Sequence, residues 1–135
     1  MFARDSIILV VDDSATTRVE IRRELESLGY FNIREAEDGN DAYAKMAAAT
    51  KKIPFSLVIA DWNMPGMNGL ELLKKIRSRP EWINLPFIML TAESAVEQVA
   101  TAISNNVSGY IVKPMGKGAL KLKLEAVWKR YSGDS

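Results

Sequence analysis

Five short apolar runs, separated by longer segments of helical period, constrain this chain more than any other feature. The runs cover residues 7–11, 32–35, 56–60, 86–90 and 109–112 and read as strands. Three of them are nearly continuous in apolar side chains, the pattern of strands buried on both faces in a parallel sheet. The weak run, 32–35, is expected at an edge. After the first strand, Ser14 is placed to cap a helix whose inward face is Ile21, Leu25 and Leu28 and which Gly29 ends. An alanine-rich helix over about 40–49 and a third over 70–78, with Leu70, Leu73 and Ile76 inward, follow before Pro80 breaks the chain. A fourth shows Val96, Val99, Ala100 and Ile103, and a fifth Leu120, Leu124, Val127 and Tyr131, both at amphipathic spacing. Five strands alternating with five helices through right-handed crossovers predict an α/β fold, a doubly wound three-layer sandwich around a five-stranded parallel sheet. Residues 50–54 read as a variable loop with Lys51 and Lys52 exposed, and residues 1–5 and 132–135 are expected to fray.

A length of 135 residues holds one such domain and no second. Eighteen basic and seventeen acidic side chains leave a net charge of +1, without the global field of a nucleic-acid or membrane binder. The apolar run at 7–11 is too short for a signal peptide or membrane span and runs straight into Asp12 and Asp13. The chain contains no histidine and no cysteine. Ser-His-Asp and Cys-His catalysis, Cys/His zinc sites, disulfides and thiol redox chemistry are therefore excluded, and a cytoplasmic setting is expected. Chemistry here must run on carboxylates, hydroxyls, lysines and backbone.

In an open α/β sheet, ligands sit outside the carboxyl ends of the strands, near the point where strand order reverses. Asp12 and Asp13 follow the first strand, Asp61 the third, Thr91 the fourth and Lys113 the fifth. Each has an ordinary reading by itself: a turn or helix cap for the aspartates and the threonine, a solvated lysine before Pro114. Their joint placement at one sheet edge points elsewhere. Three clustered carboxylates repel one another and call for a cation, and hard oxygen ligands with room for water and phosphate suit Mg²⁺ better than Ca²⁺. Lys113 adds a second positive charge, so the edge is shaped for a phosphoryl group, with Thr91 donating to one of its oxygens. The candidate nucleophile is Asp61, attacking phosphorus to give an acyl phosphate.

The strings Val10-Val11-Asp12-Asp13-Ser14, Asp61-Trp62-Asn63-Met64-Pro65-Gly66-Met67-Asn68-Gly69, Leu90-Thr91-Ala92-Glu93 and Gly109-Tyr110-Ile111-Val112-Lys113-Pro114 closely resemble receiver domains of two-component response regulators, above all the single-domain chemotaxis type. The resemblance spans about 7–131 and implies a stand-alone receiver over 1–135, without an output domain. It implies flavodoxin-like strand order 2-1-3-4-5, and phosphorylation of Asp61 by a partner histidine kinase. Mg²⁺ would be held by Asp13 and Asp61, by the Asn63 carbonyl, and by Asp12 through water. Lys113 would pair with phosphorylated Asp61, behind a cis peptide before Pro114. Thr91 and Tyr110 would form the switch, with Tyr110 moving from an exposed to a buried rotamer, while Asn63 and Glu93 tune dephosphorylation and Ala92 leaves the site open to water. Val99, Tyr110 and Lys123 would meet the target, the flagellar motor switch in that group, and a phosphatase would be a further partner of a monomer that is no turnover enzyme. Ala95 and Val96 stand where the family carries basic residues, and Met115 where an aromatic is usual. Lys117, Lys121, Lys123, Lys129 and Arg130 read as a solvated face of the last helix.

A phosphorelay shuttle or phosphate sink is the second reading within the family. A haloacid-dehalogenase-type phosphatase also uses an aspartate nucleophile at a strand end, but would need an acid where this chain has Asn63. A flavin carrier shares the sheet order, yet Asp12 and Asp13 would repel a flavin phosphate.

Overall fold

The computed structural model describes residues 2–49 and 54–132, with side chains up to 131. Its elements are β1 (Ile8–Val11), α1 (Ala15–Ser27), β2 (Ile33–Ala36), α2 (Gly39–Ala48), β3 (Leu57–Ala60), α3 (Gly69–Arg77), a one-turn 3-10 helix (Pro80–Trp82), β4 (Phe87–Thr91), α4 (Val96–Ser104), β5 (Gly109–Val112) and α5 (Ala119–Ser132). All strand pairs are parallel, in the order β2-β1-β3-β4-β5. Sequence and resemblance anticipated this sheet, with its weak strand at an edge.

Alternation along the strands sorts the core into two halves. Ile8, Val10, Leu57, Ile59, Ile88 and Leu90 face Ile21 and Leu25 of α1 and Leu120, Leu124 and Val127 of α5. Leu9, Val11, Val58, Ala60, Phe87 and Met89 face Ala42 and Met46 of α2, Leu72, Leu73 and Ile76 of α3, and Ala102 of α4. β1, β3 and β4 are buried at every position, as their continuous apolar character requires. Each fully buried leucine or isoleucine contributes roughly 1.5–3 kcal/mol.

Local signals fix the element ends. The Ser14 side chain accepts the Thr17 amide at the start of α1, and Gly29, at φ 94°, takes the left-handed turn that leads out of it. Asp38 caps α2, and Asn68 with Glu71 forms a reciprocal capping box on α3. On the free edge of β2 the outward carbonyls of Ile33 and Glu35 accept from Arg22 and Lys45, at 3.4 and 2.5 Å. Two cations thus occupy an edge that would otherwise template another strand.

Four expectations need correction. The amino-terminal segment is anchored where described: Phe2 is buried, its ring packs on Trp128, and its carbonyl accepts the Tyr30 hydroxyl at 2.9 Å. In α3 Leu72 is buried and Leu70 only half-buried. In α4 the apolar stripe is not the buried face: Val96 is 80% and Ile103 62% exposed, and Ala102 alone is buried. Val107 and Tyr110 fill the space on that side of the sheet, so only a small side chain of α4 reaches it. Tyr131 is exposed at the end of α5, its hydroxyl 2.7 Å from the Ser108 hydroxyl. Most of the expected 50–54 loop and residues 133–135 lie outside the described residues.

Candidate functional site

Strand register assembles the site. Where the strand order reverses, Val11 pairs with Ala60 and the Asp61 amide donates to the Val11 carbonyl at 3.0 Å, which sets Asp12 and Asp13 across from Asp61. One carboxylate oxygen from each of Asp12, Asp13 and Asp61 lies within 4.8 Å of the others. Further along the sheet Thr91 pairs with Val112, and the Lys113 amide donates to the Thr91 carbonyl at 2.8 Å. From there the Lys113 side chain reaches back, its Nζ 2.9 Å from Asp12 Oδ2 and 3.1 Å from Asp61 Oδ2. The Lys113–Pro114 peptide is cis, as the resemblance implied.

Asp12 and Asp61 are buried, and Asp13 is exposed. Burial raises the Asp12 pKa above the ordinary carboxylate value, against the lowering effect of Lys113 and the Ser14 amide. Burial also pulls on Lys113, but its hydrogen bonds to Asp12 and Asp61 outweigh it and raise its pKa. The ammonium is therefore charged at neutral pH. One ammonium is thus gathered with three acidic side chains, of which Asp13 is the exposed one.

A second layer converges on Glu93. The Asn63 side-chain amide donates to Glu93 Oε1 at 2.6 Å, and the Tyr110 hydroxyl to the Glu93 carbonyl at 2.7 Å. The Glu93 amide in turn donates to the buried Thr91 hydroxyl at 3.3 Å. Thr91 therefore serves this turn and is not the cap of α4, whose N-cap is Ala95. The Asn63 amide donates to Asp61 Oδ1 at 3.2 Å, coupling the layer to the carboxylates. Tyr110 is half-buried, and burial, then the charges of Glu93 and Asp61, raise its pKa. Val99 and Lys123 stand outside this network: Val99 is half-buried on α4, and the Lys123 stem lies over Gly109 of β5.

Two residues at the site carried no role in the sequence reading. Gly69 begins α3 against the Asp61 backbone, where a Cβ would stand 2.1 Å from the Asp61 carbonyl oxygen, and its amide donates to the Trp62 carbonyl at 2.9 Å. The sequence signal was a glycine directly after the Asn68 cap. Arg18, on α1, holds the Asp12 carbonyl at 2.5 Å; its position on a helix otherwise rich in surface charge gave no signal.

The donors fit the metal expected. They are hard carboxylate oxygens, three acidic side chains beside one ammonium, a donor set that suits a hard divalent cation. Beside them a depression of about 380 Å³, lined by Asp13, Trp62, Asn63, Met64, Pro65 and Asn68, leaves room for water or a small ligand.

A doubly wound sheet with carboxylates, hydroxyl and ammonium gathered at its switch point defines the architecture of a receiver domain. The chain belongs to the response regulator receiver domain family, which it matches over residues 8–125. It is 45% identical over 123 residues to the chemotaxis protein CheY-3 of Vibrio cholerae, covering 91% of this chain and 92% of the relative. It is 47% identical over 121 residues to the chemotaxis protein CheY1 of Helicobacter pylori, covering 89% and 94%. Among solved structures, the V. cholerae chemotaxis response regulator CheY4 superposes with a TM-score of 0.80 at 32% identity, covering 91% of this chain and 98% of that one. No helix among the described residues is long and apolar enough to cross a membrane.

Proposed function

We propose that this protein is a stand-alone, phosphorylation-activated response regulator that accepts a phosphoryl group on Asp61. The observation that carries the reading is the Lys113 ammonium bridging Asp12 and Asp61, with Asp13 beside them at an opening. An Asp61 carboxylate oxygen attacks phosphorus of a phosphohistidine; the P–N bond breaks, and the imidazole leaves with the bond's electrons and takes up a proton. The donor histidine lies on another protein, because this chain contains none, and a histidine kinase is the donor that the family resemblance implies. Lys113 offsets negative charge on the transferred group, and the Thr91 hydroxyl becomes its donor on releasing the Glu93 amide. When bound, Mg²⁺ neutralises phosphoryl oxygens; Asp13, Asp61 and the Asn63 carbonyl would hold it, with Asp12 acting through water. Asn63 and Glu93, already bonded to each other, control water's access to the acyl phosphate, and small Ala92 leaves that access open.

The group ends on the protein's own side chain and is lost to water, so this is a switch and not a turnover enzyme. The Thr91–Glu93–Tyr110 chain of hydrogen bonds is its two-state element. The output is binding of a target through Val99, Tyr110 and Lys123, and the chemotaxis relatives make the flagellar motor switch the favoured one, in a cytoplasmic monomer served by a kinase and a phosphatase. Uncharged Ala95 and Val96 at the start of α4 support a second reading, a phosphate sink or relay shuttle. Intact mass after incubation with Mg²⁺ and a small acyl phosphate tests the acceptor chemistry. One added phosphoryl group in the parent and none in Asp61→Asn is expected, and equal labelling of both would refute it.

A further inference from the structure

Asp13 is exposed, and its carboxylate has no hydrogen-bond partner among the described residues. The direction of its backbone therefore decides where that carboxylate points. The backbone is held from one side: Arg18 Nη1 donates to the Asp12 carbonyl at 2.5 Å, the carbonyl of the peptide joining Asp12 to Asp13. Arg18 is fixed in turn, because its Nε donates to Glu35 Oε1 at 2.9 Å, while Arg22 grips Glu35 Oε2 through Nη2 at 2.8 Å and Nε at 3.2 Å. Glu35 is anchored on β2 opposite Val10. The chain of support runs from β2 through Glu35 and Arg18 to one peptide plane. The Asp12 carboxylate, by contrast, is oriented independently by the Ser14 amide and Lys113.

We infer that Arg18 is a positioning residue for divalent-cation binding: by pinning the Asp12–Asp13 peptide against the Glu35 anchor it aims the Asp13 carboxylate at the ion. The inference rests on the reading of Asp12, Asp13 and Asp61 as the Mg²⁺ site. Positioning and charge predict opposite signs here. Arg18 is itself a cation, so electrostatics alone says its removal tightens Mg²⁺ binding, whereas loss of the pin loosens it.

The test titrates the full chain with Mg²⁺, following Trp62 fluorescence and calorimetry, in the parent, Arg18→Met, Arg18→Lys and Glu35→Gln. The expected result is a dissociation constant raised about tenfold in Arg18→Met, the scale at which groups supporting metal ligands act. Arg18→Lys, which keeps the charge and one donor, recovers part of the loss, and Glu35→Gln shows a smaller one. A second readout is metal-free: the backbone amide order parameter of Asp13, measured by NMR relaxation, falls in Arg18→Met. Unchanged or tighter Mg²⁺ binding in a folded Arg18→Met overturns the inference, as does an unchanged order parameter. If the parent itself binds no Mg²⁺, the metal reading fails, and the order parameter still decides whether Arg18 holds this peptide. Should Arg18→Met fail to fold, Arg18→Lys and Glu35→Gln carry the same comparison.

Discussion

At the scale of single residues, close approach and charge set what the site tolerates. Gly69 is the sharpest case, because any side chain there must displace the Asp61 backbone. Gly69→Ala is expected to lower stability by roughly 1–3 kcal/mol, the usual cost of overpacking, and to weaken Mg²⁺ binding with it. Urea denaturation and Mg²⁺ titration check the two effects together. Glu35 carries a pH prediction. Hydrogen bonds from Arg22, then Arg18, outweigh burial and hold its carboxyl below the ordinary value of 4.5. A depressed carboxylate contributes stability that is present above pH 4.5 and is lost as pH falls through the lowered value. Glu35→Gln should therefore lose stability relative to the parent at neutral pH and converge with it in acid. Denaturation profiles from pH 7 downward would show parallel curves if Glu35 were not coupled to folding.

At the scale of elements, the structure explains why some helices announced themselves and one misled. α3 begins with Asn68 and Glu71 in a capping box, and Asn68→Ala should cost about 1 kcal/mol, read as a lower midpoint in thermal or urea unfolding. The strands β1, β3 and β4 were legible because burial on both faces demands unbroken apolar runs, and β2 was legible as an edge because it lacks one. The largest misreading was α4, beyond the single-residue corrections at Leu70 in α3 and Tyr131 in α5. Its spacing of Val96, Val99, Ala100 and Ile103 describes an amphipathic helix, and nothing in sequence separates a stripe facing the core from one facing a partner. Phe2 escaped notice for a related reason: one aromatic near a terminus has no periodicity, and only its packing on Trp128 shows that it belongs to the core.

At the scale of the whole molecule, the sheet converts distant sequence positions into one site. The aspartates, Thr91 and Lys113 were each ambiguous alone and became informative once parallel strands placed them at a common edge. The support behind them was not legible: the contact of Gly69 with Asp61 and the grip of Arg18 on Asp12 depend on three-dimensional approach between elements. The lack of histidine, first an exclusion, gives the proposed transfer its direction: under that proposal the donor phosphohistidine resides on another protein. The central claim is that Asp61 receives that group. Its most direct measurement is transfer from a radiolabelled phosphohistidine kinase domain with Mg²⁺, followed by borohydride reduction of the acyl phosphate and peptide mapping. The predicted result is conversion at Asp61 alone, dependent on Mg²⁺ and abolished in Asp61→Asn; label at another residue, or undiminished label in Asp61→Asn, would contradict it.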